Sequence, residues 1–225
     1  MSRDHLGQFM VGSNLGFARG VQLLEDCEGT CNWSVSGTGG DDVHAFATVA
    51  AFMGVSGMRL KTRVTGAAEN DYVMMSRAIG LGESGLIVFR GRVALPAVTG
   101  VKYVSIGVGI ADGDRLYAGW MSWNQVGGAV LICGPAGAGV ASGVQASGLV
   151  AGEWVTWEVV IDGRAMEYRE VAFNGSRARD VGVALWDAGA DARRWVGLDL
   201  MVWANANAPA EMYADNIYVG EFLDV

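Results

Sequence analysis

The chain has 225 residues, 51% hydrophobic and 18% charged, which is too apolar for disorder and within the length that an all-β sandwich occupies as one domain. A formal net charge of -8 with no basic stripe argues against a nucleic-acid groove, whose affinity comes from clustered Lys and Arg releasing counterions. Thirty-four Gly against three Pro indicate many tight turns, and apolar runs such as 126–133 fall well short of the roughly 20 residues that span a bilayer, so no membrane insertion is expected.

Residues 1–20 carry Gly7, Gly12, Gly16 and Gly20 with no sustained period and read as an N-terminal arm, disordered or docked on a neighbour. They lack the Lys/Arg-flanked apolar stretch of about 7–15 residues of a secretory signal, so no signal peptide is visible and the chain reads as unprocessed or already mature. Residues 21–225 read as a single domain without internal repeat or linker. Short runs of period two, bounded by Gly, Asn and Asp, predict strands over 21–27, 58–65, 72–79, 86–95, 103–110, 116–124, 129–133, 154–161, 168–173, 195–203 and 212–222. In 58–65 the apolar Met58, Leu60 and Val64 alternate with Arg59, Lys61 and Arg63, the pattern of a half-buried antiparallel strand. Asp112-Gly113-Asp114 and Asp162-Gly163 predict hairpins, each glycine supplying the positive φ that a two-residue turn requires. The Gly/Pro-rich stretch 134–139 reads as an exposed loop, and His44, after Asp41 and Asp42, as a loop residue. Cys27, Cys31 and Cys133 form an odd set with no His nearby, short of a zinc site. They read as buried thiols, or for the first two as a disulfide in an oxidising compartment.

Catalytic signatures are lacking. A retaining glycosidase needs two carboxylates about 5–5.5 Å apart, which on one strand means like-facing positions. Glu167 and Glu170 have odd spacing and point oppositely, and two His in the chain offer little for a triad or a His-based metal centre. No enzyme is expected. Eight Trp, by contrast, are generous, and exposed aromatic faces serve as platforms for a pyranose ring. Trp120 and Trp123 fall on opposite faces of one predicted strand, as do Trp154 and Trp157. Trp120, Trp123 and Trp154 are therefore candidate ligand contacts, against the alternative that strand aromatics fill the core or a subunit interface. Asn205 and Asn207, with Pro209, form a polar loop that suits either ligand hydrogen bonding or turn chemistry.

The stretch Leu23-Leu24-Glu25-Asp26-Cys27-Glu28-Gly29 followed by Trp33, the ending Met212-Tyr213-Ala214-Asp215-Asn216-Ile217-Tyr218-Val219, and Gly57-Met58-Arg59-Leu60-Lys61 between them carry a family resemblance. They resemble concanavalin A-like lectin/glucanase and carbohydrate-binding-module jelly rolls, of the stand-alone type seen among phage structural proteins; Cys27 departs from the opening, standing where an aromatic would sit. The resemblance implies an all-β, two-sheet antiparallel β-sandwich. It also implies a structural calcium where the first and last strands meet, with Glu25, Asp26, Glu28 and Asp215 as candidate ligands and no other cofactor, against the alternative of ordinary edge carboxylates and a turn-forming Asp215-Asn216. Two functions follow as expectations. The first is a non-catalytic virion component, such as a capsid decoration, acting as a homo-oligomer or within a larger assembly on a virion or extracellular surface. The alternative is a carbohydrate-binding module that recognises a polysaccharide through exposed tryptophans.

Overall fold

Alternation decides the architecture. Val104, Ile106, Val108 and Ile110 are all buried, at 0–3% exposure, while the residues between them are Ser and Gly, so one strand gives one face to a core and the other to the outside. The same grammar holds for Val196, Leu198, Leu200 and Val202, and for Val155, Trp157, Val159 and Ile161, which join the same apolar cluster. In the computed structural model the described residues are 18–25, 33–38, 43–48, 56–62, 68–80, 85–146, 149–206 and 208–222.

Sixteen strands follow in chain order: β1 (Ala18–Glu25), β2 (Ser34–Gly37), β3 (Val43–Thr48), β4 (Ser56–Lys61), β5 (Tyr72–Gly80), β6 (Leu86–Ala94), β7 (Val101–Asp112), β8 (Arg115–Asn124), β9 (Ala129–Cys133), β10 (Gly139–Gln145), β11 (Trp154–Asp162), β12 (Glu167–Phe173), β13 (Ser176–Ala184), β14 (Trp186–Ala190), β15 (Arg194–Ala204) and β16 (Glu211–Phe222). They form two antiparallel sheets of eight strands. The first runs β13-β12-β11-β6-β16-β4-β3, with β1 also on β16; the second runs β10-β9-β8-β7-β15-β5-β2, with β14 on β8. The inner faces of both contribute to one hydrophobic core, giving the expected two-sheet jelly-roll sandwich. No helix among the described residues is long and apolar enough to cross a membrane.

The last strand is shared. β16 lies along β6 over its length, while its other edge is taken by β4 at Glu211–Ala214 and by β1 at Ile217–Phe222. Between these halves the register shifts and Asn216 adopts φ 50°, a bulge that moves the inward set from Met212 and Ala214 to Ile217 and Val219. Asp215-Asn216 therefore bends a continuous strand.

Five strands, β2, β3, β10, β13 and β14, were not expected from periodicity. His44 lies in β3 rather than in a loop, and residues 134–138 form a turn that passes directly into β10 at Gly139. β13 ends its sheet and carries Arg177, Arg179 and Asp180, charges that suit an edge strand but blur alternation. The Asp112 turn is the expected two-residue hairpin, with Gly113 at φ 103° and the Asp112 carboxylate accepting from the N–H groups of Asp114 and Arg115, both at 2.9 Å. The Asp162 turn is longer: Asp162 pairs with Glu167 across four residues, and Met166, not Gly163, takes the positive φ. Of the expected arm, residues 1–17 lie outside the described residues and 18–20 open β1. Cys133 is a buried free thiol, while Cys27 and Cys31 lie outside the described residues.

Candidate functional site

The outer face of the second sheet is built from rows that the strand registers align. One row is Ser76, Asp199, Gly107 and Trp120; a neighbouring row is Ala78, Gly197, Gly109, Ala118 and Trp186; on the other side lie Met74, Met201, Ser105, Ser122 and Leu131, then Tyr72, Trp203, Tyr103 and Asn124. The middle of this face is small and its margins are large. The result is a groove of about 720 Å³ with a floor of Gly107, Gly109, Ser105, Ser122 and Ala118, rimmed by Trp120, Trp186, Trp195 and Trp203. The Ser105 and Ser122 hydroxyls hydrogen-bond to each other at 2.8 Å, which satisfies polar groups on the floor without raising it.

Glycines set the pose of two indoles. A Cβ on Gly197 would come within 2.5 Å of Trp195 Cζ3, and one on Gly109 within 3.1 Å of the same ring, so the benzo ring of Trp195 rests on bare backbone. Trp120 rests likewise on Gly139, whose Cβ position is 3.0 Å from Cη2, while a Cβ built on Gly137 would stand in ordinary contact with Trp186, at 3.5 Å. Trp195 Nε1 donates to Asp191 Oδ2 at 3.1 Å. The Arg193 guanidinium and then the Arg193 N–H hold that carboxylate well below the usual range, so the anchor stays ionised in mild acid. Trp203 packs on Tyr72 with ring centroids 4.7 Å apart, and Trp186 is 43% exposed. These are apolar, upward-facing platforms at a spacing fixed by sheet register.

Trp120 has a second support from across the sandwich. On the edge of β8 away from β7, β14 pairs with Arg115–Ala118 and β9 with Met121–Trp123, and neither reaches Trp120. The Tyr168 hydroxyl, on β12 of the opposite sheet, occupies this gap: it accepts from Trp120 N–H at 2.8 Å and donates to Trp120 C=O at 3.2 Å. Gly119 leaves room for it, since a Cβ there would collide with that hydroxyl. Tyr168 is fully buried, and burial pushes its phenol far above the ordinary value, keeping the proton it donates.

Asp199 is the carboxylate among the described residues lining the groove. Its position opposite Ser76 and Gly107 places it between the rims, and the Ser76 hydroxyl donates to it. Burial pushes its carboxyl above the usual range, the Ser76 hydrogen bond offsetting part of that rise.

Of the sequence candidates, Trp120 lines the groove. Trp123, three residues on, points the other way. It is 2% exposed, stacked on Phe173 at 6.4 Å and donating to Ala146 C=O at 3.2 Å, so it is a core residue and cannot touch a ligand. Trp154 lies on the outer face of the first sheet beneath Arg92, whose guanidinium is 4.6 Å from the ring centroid, remote from the groove. Asn205 is half-buried in the β15–β16 connection and its N–H bonds Gly100 C=O at 2.9 Å, which is turn chemistry; Asn207 lies outside the described residues. Of the calcium set, Asp26 and Glu28 also lie outside them, and Glu25 ends β1 opposite Ile217. Asp215 is bound by Arg92, with Nε donating at 2.9 Å and Nη2 closer still. No group of three or more His, Cys, Asp or Glu able to hold a metal occurs among the described residues. Trp186, Trp195, Trp203 and Asp199 were not singled out from the sequence. The signal was present in 195–203, where Trp195, Gly197, Asp199, Met201 and Trp203 alternate with four aliphatics.

No protein-family model matches the chain and no curated protein is similar to it in sequence. Solved structures are similar to it. A carbohydrate esterase of the Shiga toxin-encoding bacteriophage phi24B is 16% identical with a TM-score of 0.61, over 90% of this chain and 99% of that one. A carbohydrate-binding module of the β-sandwich superfamily is 13% identical with a TM-score of 0.46, over 94% and 64%. Peanut lectin is 10% identical with a TM-score of 0.47, over 88% and 95%. In fold the chain is a two-sheet antiparallel β-sandwich of the jelly-roll type, like the phage protein.

Proposed function

We propose that this protein is a non-catalytic glycan-binding β-sandwich that takes a stretch of polysaccharide along the groove of its second sheet. The observation that carries the reading is the groove itself: four indoles rim a floor of Gly, Ser and Ala, and two of them are held in pose by glycines beneath. Apolar platforms separated by small polar groups suit a sugar chain, whose rings offer C–H faces for stacking and hydroxyl edges for hydrogen bonding. This ordering reverses the expectation that placed assembly first. A polysaccharide-exposed surface, including that of a virion, is a setting for such a protein, and a bacteriophage protein of similar fold described as a carbohydrate esterase supports it.

The test is affinity electrophoresis against neutral and acidic polysaccharides, with tryptophan fluorescence as a second readout. Binding by the native protein, weakened about tenfold by Trp186→Ala or Trp195→Ala with little change in melting temperature, is the expected result. Retention by no polysaccharide, with fluorescence unmoved, refutes the reading. Release of reducing ends or acyl groups would show an enzyme instead.

A further inference from the structure

We propose that Asp199 makes the groove selective for charge, admitting neutral glycans and turning away polymers of uronic acids. This rests on the glycan-binding reading above and specifies its ligand class. Asp199 lies in the row that ends at Trp120, so a sugar stacked on that indole passes over the carboxylate. Gly107 stands between them, and a Cβ there would sit 3.1 Å from Asp199 Oδ2, so the glycine leaves that flank of the carboxylate uncovered.

The other charges about the groove are paired: Arg115 with Asp187 at 2.5 Å, Arg193 with Asp191 at 2.8 Å, and Lys102 with Glu69 at 2.5 Å. Among the described residues no cation lies against Asp199, and its partner is the Ser76 hydroxyl. A carboxylate accepts hydrogen bonds and donates none, with room for several donors. Sugar hydroxyls supply them. A uronate brings a like charge into a partly desolvated site where no guanidinium or ammonium of the described residues is free to receive it, and the net charge of -8 adds a weaker, salt-screened repulsion.

Pairs that differ chiefly in carboxylate charge separate these effects: hydroxyethylcellulose against carboxymethylcellulose, and fully methyl-esterified against de-esterified polygalacturonate, each measured by affinity electrophoresis at about 0.15 M salt. The native protein is expected to bind the neutral member at least tenfold tighter. Asp199→Asn, which alters net charge by a single unit, is expected to bring that ratio below threefold while circular dichroism shows the fold intact. Equal affinity of the native protein for both members of a pair overturns the proposal and leaves glycan binding standing. So does a ratio unchanged in Asp199→Asn, which assigns the exclusion to net charge. Retention by none of the four polymers overturns glycan binding and this proposal with it.

Discussion

Replacing Tyr168 by Phe removes one oxygen from the interior and leaves the ring in place. That oxygen is the hydrogen-bond partner of both Trp120 N–H, at 2.8 Å, and Trp120 C=O, at 3.2 Å, on a stretch of β8 that neither β9 nor β14 reaches. Each buried polar group left unsatisfied costs about 1–3 kcal/mol, and the lower cost of burying Phe in place of Tyr returns part of the total. A net loss of about 2–3 kcal/mol is expected. For a domain of this size that lowers the melting temperature by roughly 4–12 °C. Urea unfolding should show a lower midpoint with an unchanged slope, since no new surface is exposed. Glycan affinity should fall several-fold, because the indole that loses its backbone anchor belongs to the groove rim. A melting temperature within about 1 °C of the native protein refutes the reasoning, as it would mean that Trp120 finds other partners or that the bonds contribute nothing net.

Gly197→Ala should displace Trp195, since the new Cβ would lie 2.5 Å from its ring, and so weaken glycan binding about tenfold; Gly109→Ala, at 3.1 Å, should do less, with near-ultraviolet circular dichroism reporting the indole in both. Asp199→Asn should melt higher than the native protein at pH 7. Burial raises the folded-state value of Asp199 above 3.8, so the folded state holds its proton longer and stability falls as pH climbs from 3.8 through that raised value. The advantage of Asn should be full above the raised value and gone below pH 3.8; a melting-temperature difference constant from pH 3 to 8 would contradict this. Millimolar calcium should leave the melting temperature unmoved, because Arg92 already holds Asp215; a rise would require a cation to displace that guanidinium or to bind elsewhere.

Strands that face a core on one side were legible, because their inward residues are aliphatic and their outward ones are not. Those over 103–110 and 195–203 were placed to within a few residues of β7 and β15. The strands that escaped are peripheral, where burial no longer enforces alternation. β10 holds its place partly through Ser142, whose hydroxyl donates to Val130 C=O at 2.5 Å and accepts from Val144 N–H at 3.0 Å, a local device with no periodic signature. β13 is announced by Asn174-Gly175, whose φ values of 49° and 79° are those of a two-residue hairpin turn. The site was half legible. Parity separates Trp120 from Trp123, but which of the two faces a solvent groove depends on which side of its sheet meets the other sheet, and a single strand does not carry that information.

The two outer faces of the sandwich solve different problems. On the first sheet, Arg90 reaches Glu158 at 3.1 Å, Glu158 reaches Arg177 at 3.1 Å, and Arg92 holds Asp215, so these outward positions carry charges that neutralise one another, beside a buried apolar patch of Leu86, Val88, Val160, Tyr218 and Phe222. On the second sheet, the central outward positions carry Gly107, Gly109 and Gly197, each less favourable in a strand than a residue with a side chain by roughly 0.5–1 kcal/mol. Stability alone does not select three glycines side by side in the middle of a sheet, nor does it leave Asp199 half-buried with no cation against it among the described residues. Both features make sense if the face must stay low and open beneath a chain-like ligand, with indoles at its margins to grip the ligand and Tyr168 fixing one of them from behind. On that logic, substitutions that restore side chains at Gly107 or Gly109 should cost binding out of proportion to any cost in stability, which a paired measurement of affinity and melting temperature on each variant reads directly.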